Sequence, residues 1–171
     1  MTLLILSDSH GKSHRIADII ARVRPDGILF AGDGVRDLAA CELPCPLWAV
    51  AGNCDTSTLP IIVGGRTLEV RDEELITVDG IRILLMHGHR YGVKSTLTPA
   101  VSRAASLGAD VLVFGHTHAP LEMTLMPDNT WGIPLQKPVT LVNPGTLGGY
   151  PPTFATLTVR NGQILVGHGE V

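Results

Sequence analysis

The chain has 171 residues, 44% of them apolar, and a formal net charge of -3, which suits a single domain over residues 1–171 with a sizeable core. Only three of its 13 basic residues are lysines, with no basic run or aromatic-interleaved basic patch, which argues against a dedicated nucleic-acid or acidic-membrane surface. The apolar runs fall short of the ~18 residues needed to span a bilayer, and "MTLLILSDSH" lacks the charged head and cleavage site of a signal peptide, so a reducing cytoplasm is the expected compartment.

"TLLILSDS" is a nearly continuous apolar run with a polar end, the pattern of a central strand covered on both faces. Ile16, Ile19, Ile20 and Val23 follow at helical spacing and stop before Pro25, which predicts a helix. Gly27 to Asp33 repeats the apolar strand with a polar end, a short helix is expected near Val35 to Ala40, and Pro46 to Asn53 is a third such strand. This β-α-β-α-β series predicts a parallel sheet with helices packed on it. Cys41, Cys45 and Cys54 are an odd count and provide no disulfide framework; the first two sit among prolines and read as loop residues rather than a zinc site.

The pattern then changes. "ELITVDGIRILLMHG" reads as two strands around Asp79-Gly80, a dipeptide that favours positive φ. A helix with Thr98 as N-cap, Pro99 at its first position and Gly108 as its stop is predicted next. "DVLVFGHTH" is another strand, and "FATLTVRNGQILVG" is a hairpin turned at Asn161-Gly162. Between them, Leu121 to Pro138 carries Pro127, Asn129, Gly132, Pro134 and Pro138, which reads as an irregular excursion or a lid.

The polar residues fall at the ends of these strands. The first ends in Asp8 and His10, the second in Asp33, the third in Asn53, the next hairpin in His87, and "VLVF" in His116 and His118. Open α/β sheets place their ligands at the carboxyl ends of their strands. A lone Asp after a strand is usually a turn or cap residue and a lone histidine is usually surface, but one chain would have to satisfy those readings independently at five strand ends. Four imidazoles, two carboxylates and one amide make seven candidate metal ligands, too many for one ion and enough for two that share a carboxylate. Asp33 is the natural bridge, because its two oxygens carry several lone pairs.

Two negative protein ligands against two divalent cations leave the cluster positive even with a bridging hydroxide, so a phosphate ester would be attracted. Paired metals ~3.5–4 Å apart acidify a shared water and clamp both oxygens of an in-line displacement. Nitrogen and oxygen donors without thiolate suit Mn, Fe, Zn, Ni or Co, and manganese is the expected ion.

With "DSH", "GD", "GNCD", "HGH" and "GHTH" in this order, the chain resembles the calcineurin-like metallophosphoesterases, above all their small single-domain bacterial and archaeal phosphodiesterases. "NPGT", Asn143 to Thr146, resembles the family's later "NPGS" segment. The resemblance implies an α/β fold, a four-layer α-β-β-α sandwich of two mixed sheets flanked by helices. It implies one metal on Asp8, His10, Asp33 and His118 and a second on Asp33, Asn53, His87 and His116. It also implies a homodimer.

Many family members carry a histidine after the "GN" asparagine, acting on phosphate or leaving group and oriented by the next acidic residue. Here that residue is Cys54, and Asp55 keeps the acidic place. A thiol with an ordinary pKa near ~8.5 is a poor substitute for an imidazolium acid. The catalytic candidates are therefore Asp33, Asn53, Cys54, Asp55 and His89, the last lining the pocket or orienting a ligand. Arg90 and Tyr91 are neighbours that could meet substrate; His14 reads as surface, and His168 has no assigned role. The expected function is a dinuclear-metal phosphodiesterase acting on a small soluble phosphate ester by attack of a metal-bridging hydroxide. A phosphomonoesterase is the nearest alternative. A protein-interaction scaffold is the other, because the small retromer subunit resembles this family and also lacks that histidine.

Overall fold

The computed structural model describes residues 1–55 and 61–171. Among these residues the strands are β1 (Thr2–Leu6), β2 (Gly27–Phe30), β3 (Leu47–Ala49), β4 (Ile61–Val63), β5 (Arg66–Leu68), β6 (Glu73–Val78), β7 (Ile81–Met86), β8 (Val111–Val113), β9 (Pro120–Leu125), β10 (Val139–Pro144), β11 (Thr153–Arg160) and β12 (Gln163–Glu170), with helices α1 (Ser13–Val23) and α2 (Thr98–Ser106). They form two five-stranded sheets, ordered β12-β11-β1-β2-β3 and β6-β7-β8-β10-β9, and a small β4-β5 hairpin. Both large sheets are mixed. β1, β2 and β3 run parallel with β11 antiparallel to β1; β7, β8 and β10 run parallel with β6 and β9 antiparallel at the two edges.

Side-chain parity explains the layers, because successive residues of a strand face opposite sides. Leu3, Ile5 and Leu29 of the first sheet are fully buried against Ile83, Leu85, Val111, Val113 and Val142 of the second. Their neighbours Leu4, Leu6, Ile28 and Phe30 face the other way, onto Ile16 and Ile19 of α1. On the far side Leu84, Met86 and Leu112 meet Ala100, Val101 and Ala104 of α2. Three apolar layers therefore separate four layers of structure, α-β-β-α. The central strands are apolar throughout because both of their faces are covered, and each fully buried Leu or Ile contributes about 1.5–3 kcal/mol.

The ends of α1 follow from its sequence. Ile16, Ile19 and Ile20 are its buried face, and Arg24 adopts a left-handed φ of 50° with its N–H on the Ile20 carbonyl, directly before Pro25. Asp79-Gly80 and Asn161-Gly162 all have positive φ, as a type I′ hairpin turn requires.

The short helix expected near Val35 to Ala40 is present as a 3-10 helix. Three local expectations are corrected. Thr98 lies inside α2 rather than capping it; Thr96 Oγ1 accepts the Thr98 N–H instead, at 3.2 Å. The third strand is shorter than Pro46 to Asn53, since the chain turns away at Gly52 toward the site. Leu121 to Pro138 is not wholly irregular: its first residues belong to β9, which pairs with β10 in register from Pro120↔Pro144 to Leu125↔Val139. Pro120 is tolerated because it opens an edge strand. Among the described residues no helix is long and apolar enough to cross a membrane.

Candidate metal centre

Three parallel strands of the first large sheet and two of the second deliver their carboxyl ends to one place. Asp8 and His10 follow β1, Asp33 follows β2, Asn53 follows β3, His87 follows β7, and His116 and His118 follow β8. To turn so soon after a strand, the chain takes a left-handed backbone at Asp8 (φ 53°), His10 (43°), Asp33 (57°), His116 (66°) and His118 (61°). Such φ values in non-glycine residues are uncommon and cost about 1 kcal/mol or more each. The loops are sewn together by backbone groups: the Asp8 N–H donates to the Gly32 carbonyl at 2.9 Å, the Gly115 N–H to His87 at 3.2 Å and the Gly148 N–H to Asp8 at 2.8 Å. Gly52 allows one of the close approaches, since a Cβ there would stand 2.0 Å from Asp33 Oδ1.

Among the described residues three donor groups emerge, one of them His10, Asp33 and Cys54. Asp8, His10 and His118 offer ligand atoms all within 4.8 Å of one another, as do Asp33, His87 and His116. Asp8 is buried, and its Oδ2 is occupied by the Ser7 hydroxyl and the His116 N–H at 3.1 Å. That leaves Oδ1 facing His118 Nε2 at 3.0 Å and His10 Nε2 at 3.7 Å. In the group with His116, His87 Nδ1–H donates to the Ala31 carbonyl at 2.7 Å, so Nε2 of the neutral ring carries its lone pair. That nitrogen stands 3.4 Å from Asp33 Oδ2, 3.2 Å from Asn53 Oδ1 and 3.2 Å from His116 Nδ1. Lone pairs from four residues converge on one point, which a cation or a proton must fill. The donor set fits divalent ions.

The titration tendencies share this cause. Burial pushes the Asp33 carboxyl up, but hydrogen bonds from His87 and from the Cys54 N–H outweigh it and hold the group well below the usual carboxylate range. Burial likewise pulls His87 down, yet the Asp33 and Asp8 carboxylates draw it above its ordinary value. His116 and His89 shift downward, chiefly by burial and then by the His87 charge. Burial and the Asp33 carboxylate push the Cys54 thiol up.

The remaining candidates divide. His89 opens a 3-10 turn with its ring centroid 5.4 Å from that of His87 and 6.2 Å from that of His116, and its buried Nδ1 has no hydrogen-bond partner. Cys54 is exposed at the rim. Asp55 does not orient the side chain of residue 54; its carboxylate accepts the backbone N–H groups of Asp33, Gly34, Val35 and Gly52 at 2.7–3.0 Å. Arg90 pairs with Asp72 at 3.1 Å and Tyr91 donates to Glu73 at 2.6 Å, so both are engaged elsewhere. His14 is exposed.

Apart from those of the "NPGT" segment, the residues that support these loops were not foreseen. Asp37 accepts the Ser9 hydroxyl and the Gly11 N–H, at 2.5 and 2.8 Å, bracing the loop that carries His10. Asn143 donates to the Gly115 carbonyl and to Thr117 Oγ1, at 2.9 and 3.0 Å, bracing the loop that carries His116 and His118. His168 reaches the Asn143 carbonyl at 2.8 Å. Thr146 donates to the Asp8 carbonyl at 2.9 Å, and Arg15 donates to the carbonyls of Leu147 and Gly149. "NPGT" was the only sequence signal for any of these.

Two mixed sheets packed face to face thus gather carboxylates, an amide and imidazoles at the ends of their parallel strands. Residues 1–162 match the calcineurin-like phosphoesterase superfamily domain, and the chain belongs to that family. It is 32% identical over 167 residues to the probable metallophosphoesterase YsnB of Bacillus subtilis (strain 168), covering 94% of this chain and 86% of that one. Its fold is similar to that in "Structural and Functional Characterization of a Novel Archaeal Phosphodiesterase", with a TM-score of 0.74 and 20% identity over 100% of both chains. It is also similar to Vps29 complexed with Zn+2 from Entamoeba histolytica, with a TM-score of 0.66 and 18% identity over 99% of both chains.

Proposed function

We propose that the protein is a phosphodiesterase that works with two divalent ions on a small soluble ester. The observation that carries this reading is the place of Asp33: its carboxylate groups with His87 and His116 on one side and with His10 on the other, the arrangement a bridging ligand needs. Asp8, His10, Asp33 and His118 would hold one ion, and Asp33, Asn53, His87 and His116 the other. When bound, such a pair supplies Lewis acidity to the phosphate oxygens and lowers the pKa of coordinated water.

The chain's own residues do the rest. The Ala31 carbonyl fixes the His87 tautomer and ring, and the Cys54 N–H holds Asp33 Oδ1 at 2.7 Å, so the donors are set before ions arrive. His89, whose pKa burial beside His87 pulls down, would hydrogen-bond a phosphate oxygen. Cys54, protonated at neutral pH, is a weak proton donor where an imidazolium would be a good one. Esters with stable leaving groups are therefore the favoured substrates. The likeness to Vps29 supports a second reading, a binding scaffold on the same fold.

The deciding experiment strips the protein with a chelator, reloads it with manganese, and assays bis(p-nitrophenyl) phosphate against p-nitrophenyl phosphate. Diester hydrolysis that returns with two equivalents of metal per chain supports the proposal. A monoester preference shifts it to a phosphomonoesterase, and loaded protein that leaves both esters intact makes scaffold the better reading.

A further inference from the structure

Cys54 is part of the metal cluster's wall. A ring nitrogen of His10, a carboxylate oxygen of Asp33 and Cys54 Sγ lie within 4.8 Å of one another. Two of these three donors are ones assigned above to the first ion. The backbone fixes the sulfur there, because the Cys54 N–H donates to Asp33 Oδ1 at 2.7 Å and Asn53 Nδ2 lies 3.4 Å from Sγ. The side chain is exposed, so a bound ion can reach it. The other two cysteines are differently placed. Cys41 is buried and donates to the carbonyls of Ser13 and Asp37, and Cys45 joins no group of metal donors among the described residues.

Ions differ in what they do with such a sulfur. Manganese and magnesium prefer oxygen donors, whereas zinc and cadmium accept thiolate readily. Resting on the dinuclear reading, the geometry points to Cys54 as a conditional ligand, recruited by thiophilic ions at the His10–Asp33 position and ignored by manganese. In that step the S–H bond breaks, its proton passes to solvent, and the sulfur's electron pair forms a metal–sulfur bond. The thiolate would then compete with a phosphate oxygen for that ion. The centre would thus bind zinc or cadmium more tightly than manganese and be closed by them. Among the described residues only one of the two proposed ion positions has a sulfur neighbour, so the effect would be limited to one ion per chain.

The test is titration of metal-free full-length protein with cadmium, following thiolate-to-cadmium charge-transfer absorption in the ultraviolet with calorimetry in parallel. The expected result is a band that saturates at one thiolate per chain, persists in Cys45→Ser and is lost in Cys54→Ser. Cadmium-113 NMR of the unmutated protein should show one resonance shifted by sulfur and one without. Heat of cadmium binding with no thiolate band overturns the ligation while leaving the metal centre standing. A band that survives in Cys54→Ser also overturns it. No heat with cadmium, zinc or manganese overturns both this inference and the dinuclear reading.

Discussion

The Asp55 carboxylate accepts the backbone N–H of Asp33 at 2.7 Å, tying the loop after β3 to the loop after β2. Together with three further backbone N–H groups, from Gly34, Val35 and Gly52, this bond makes Asp55 the clasp of the site. Asp55→Ala should leave those donors unpaired, lowering stability by about 3 kcal/mol and metal affinity by about 10–100-fold. Asp55→Asn should rescue only part of this, because its NH2 group faces donors. Denaturant unfolding and calorimetric metal titration would check both effects.

Asp33 and Asp8 should differ in metal stoichiometry. Among the described residues Asp33 groups with donors assigned to both proposed ions, whereas Asp8 groups with His10 and His118 alone. Asp33→Ala should retain neither ion, and Asp8→Ala should retain about half the metal content of the unmutated protein. Both should lower turnover by more than about a hundredfold. Elemental analysis after dialysis would distinguish them; equal loss in the two variants would count against a shared carboxylate.

Replacing Cys54 by histidine supplies the proton donor that the rim lacks. Cys54→His should raise turnover on an ester with a poor leaving group by about tenfold, and less on a nitrophenyl ester. Rates for matched alkyl and nitrophenyl diesters, measured on metal-replete proteins, would test this. An unchanged ratio would argue against leaving-group protonation at this position.

Away from the centre, Arg103 and then the Tyr91 hydroxyl hold the Glu73 carboxyl below its ordinary value of 4.5. A carboxyl depressed in the folded state stabilises the fold above its unfolded pKa, and that contribution is lost as pH falls through the folded value. Glu73→Gln should therefore be less stable than the unmutated protein at neutral pH, and the difference should shrink as pH drops below about 4.5. Urea unfolding across that range would show the convergence.

The residues proposed as ligands were legible because each ends a run of apolar strand residues, a contrast that survives in one dimension. The parallel half of the first sheet was legible for the same reason. β9 was not, since an exposed edge strand such as "PLEMTL" needs no continuous apolar face. The β4-β5 hairpin was missed although Gly64-Gly65 between Val63 and Arg66 was a usable turn signal. Asp37 and Asp55 were opaque in their actual roles because their partners are mostly backbone N–H groups, which every residue but proline possesses and no letter marks. Thr98 misled because Thr96, two residues earlier, carries the same hydroxyl.

The left-handed backbone at Asp8, His10, Asp33, His116 and His118 sets folding against chemistry. Glycine at any one of these sites would relax the local chain and bring no ligand, so conformational preference alone would not choose an aspartate or an imidazole. Their combined tension is on the order of several kcal/mol, and cations bound at the site would offset it. The protein should therefore melt at a temperature that rises with free metal concentration, and its loops should be most prone to open when it is stripped.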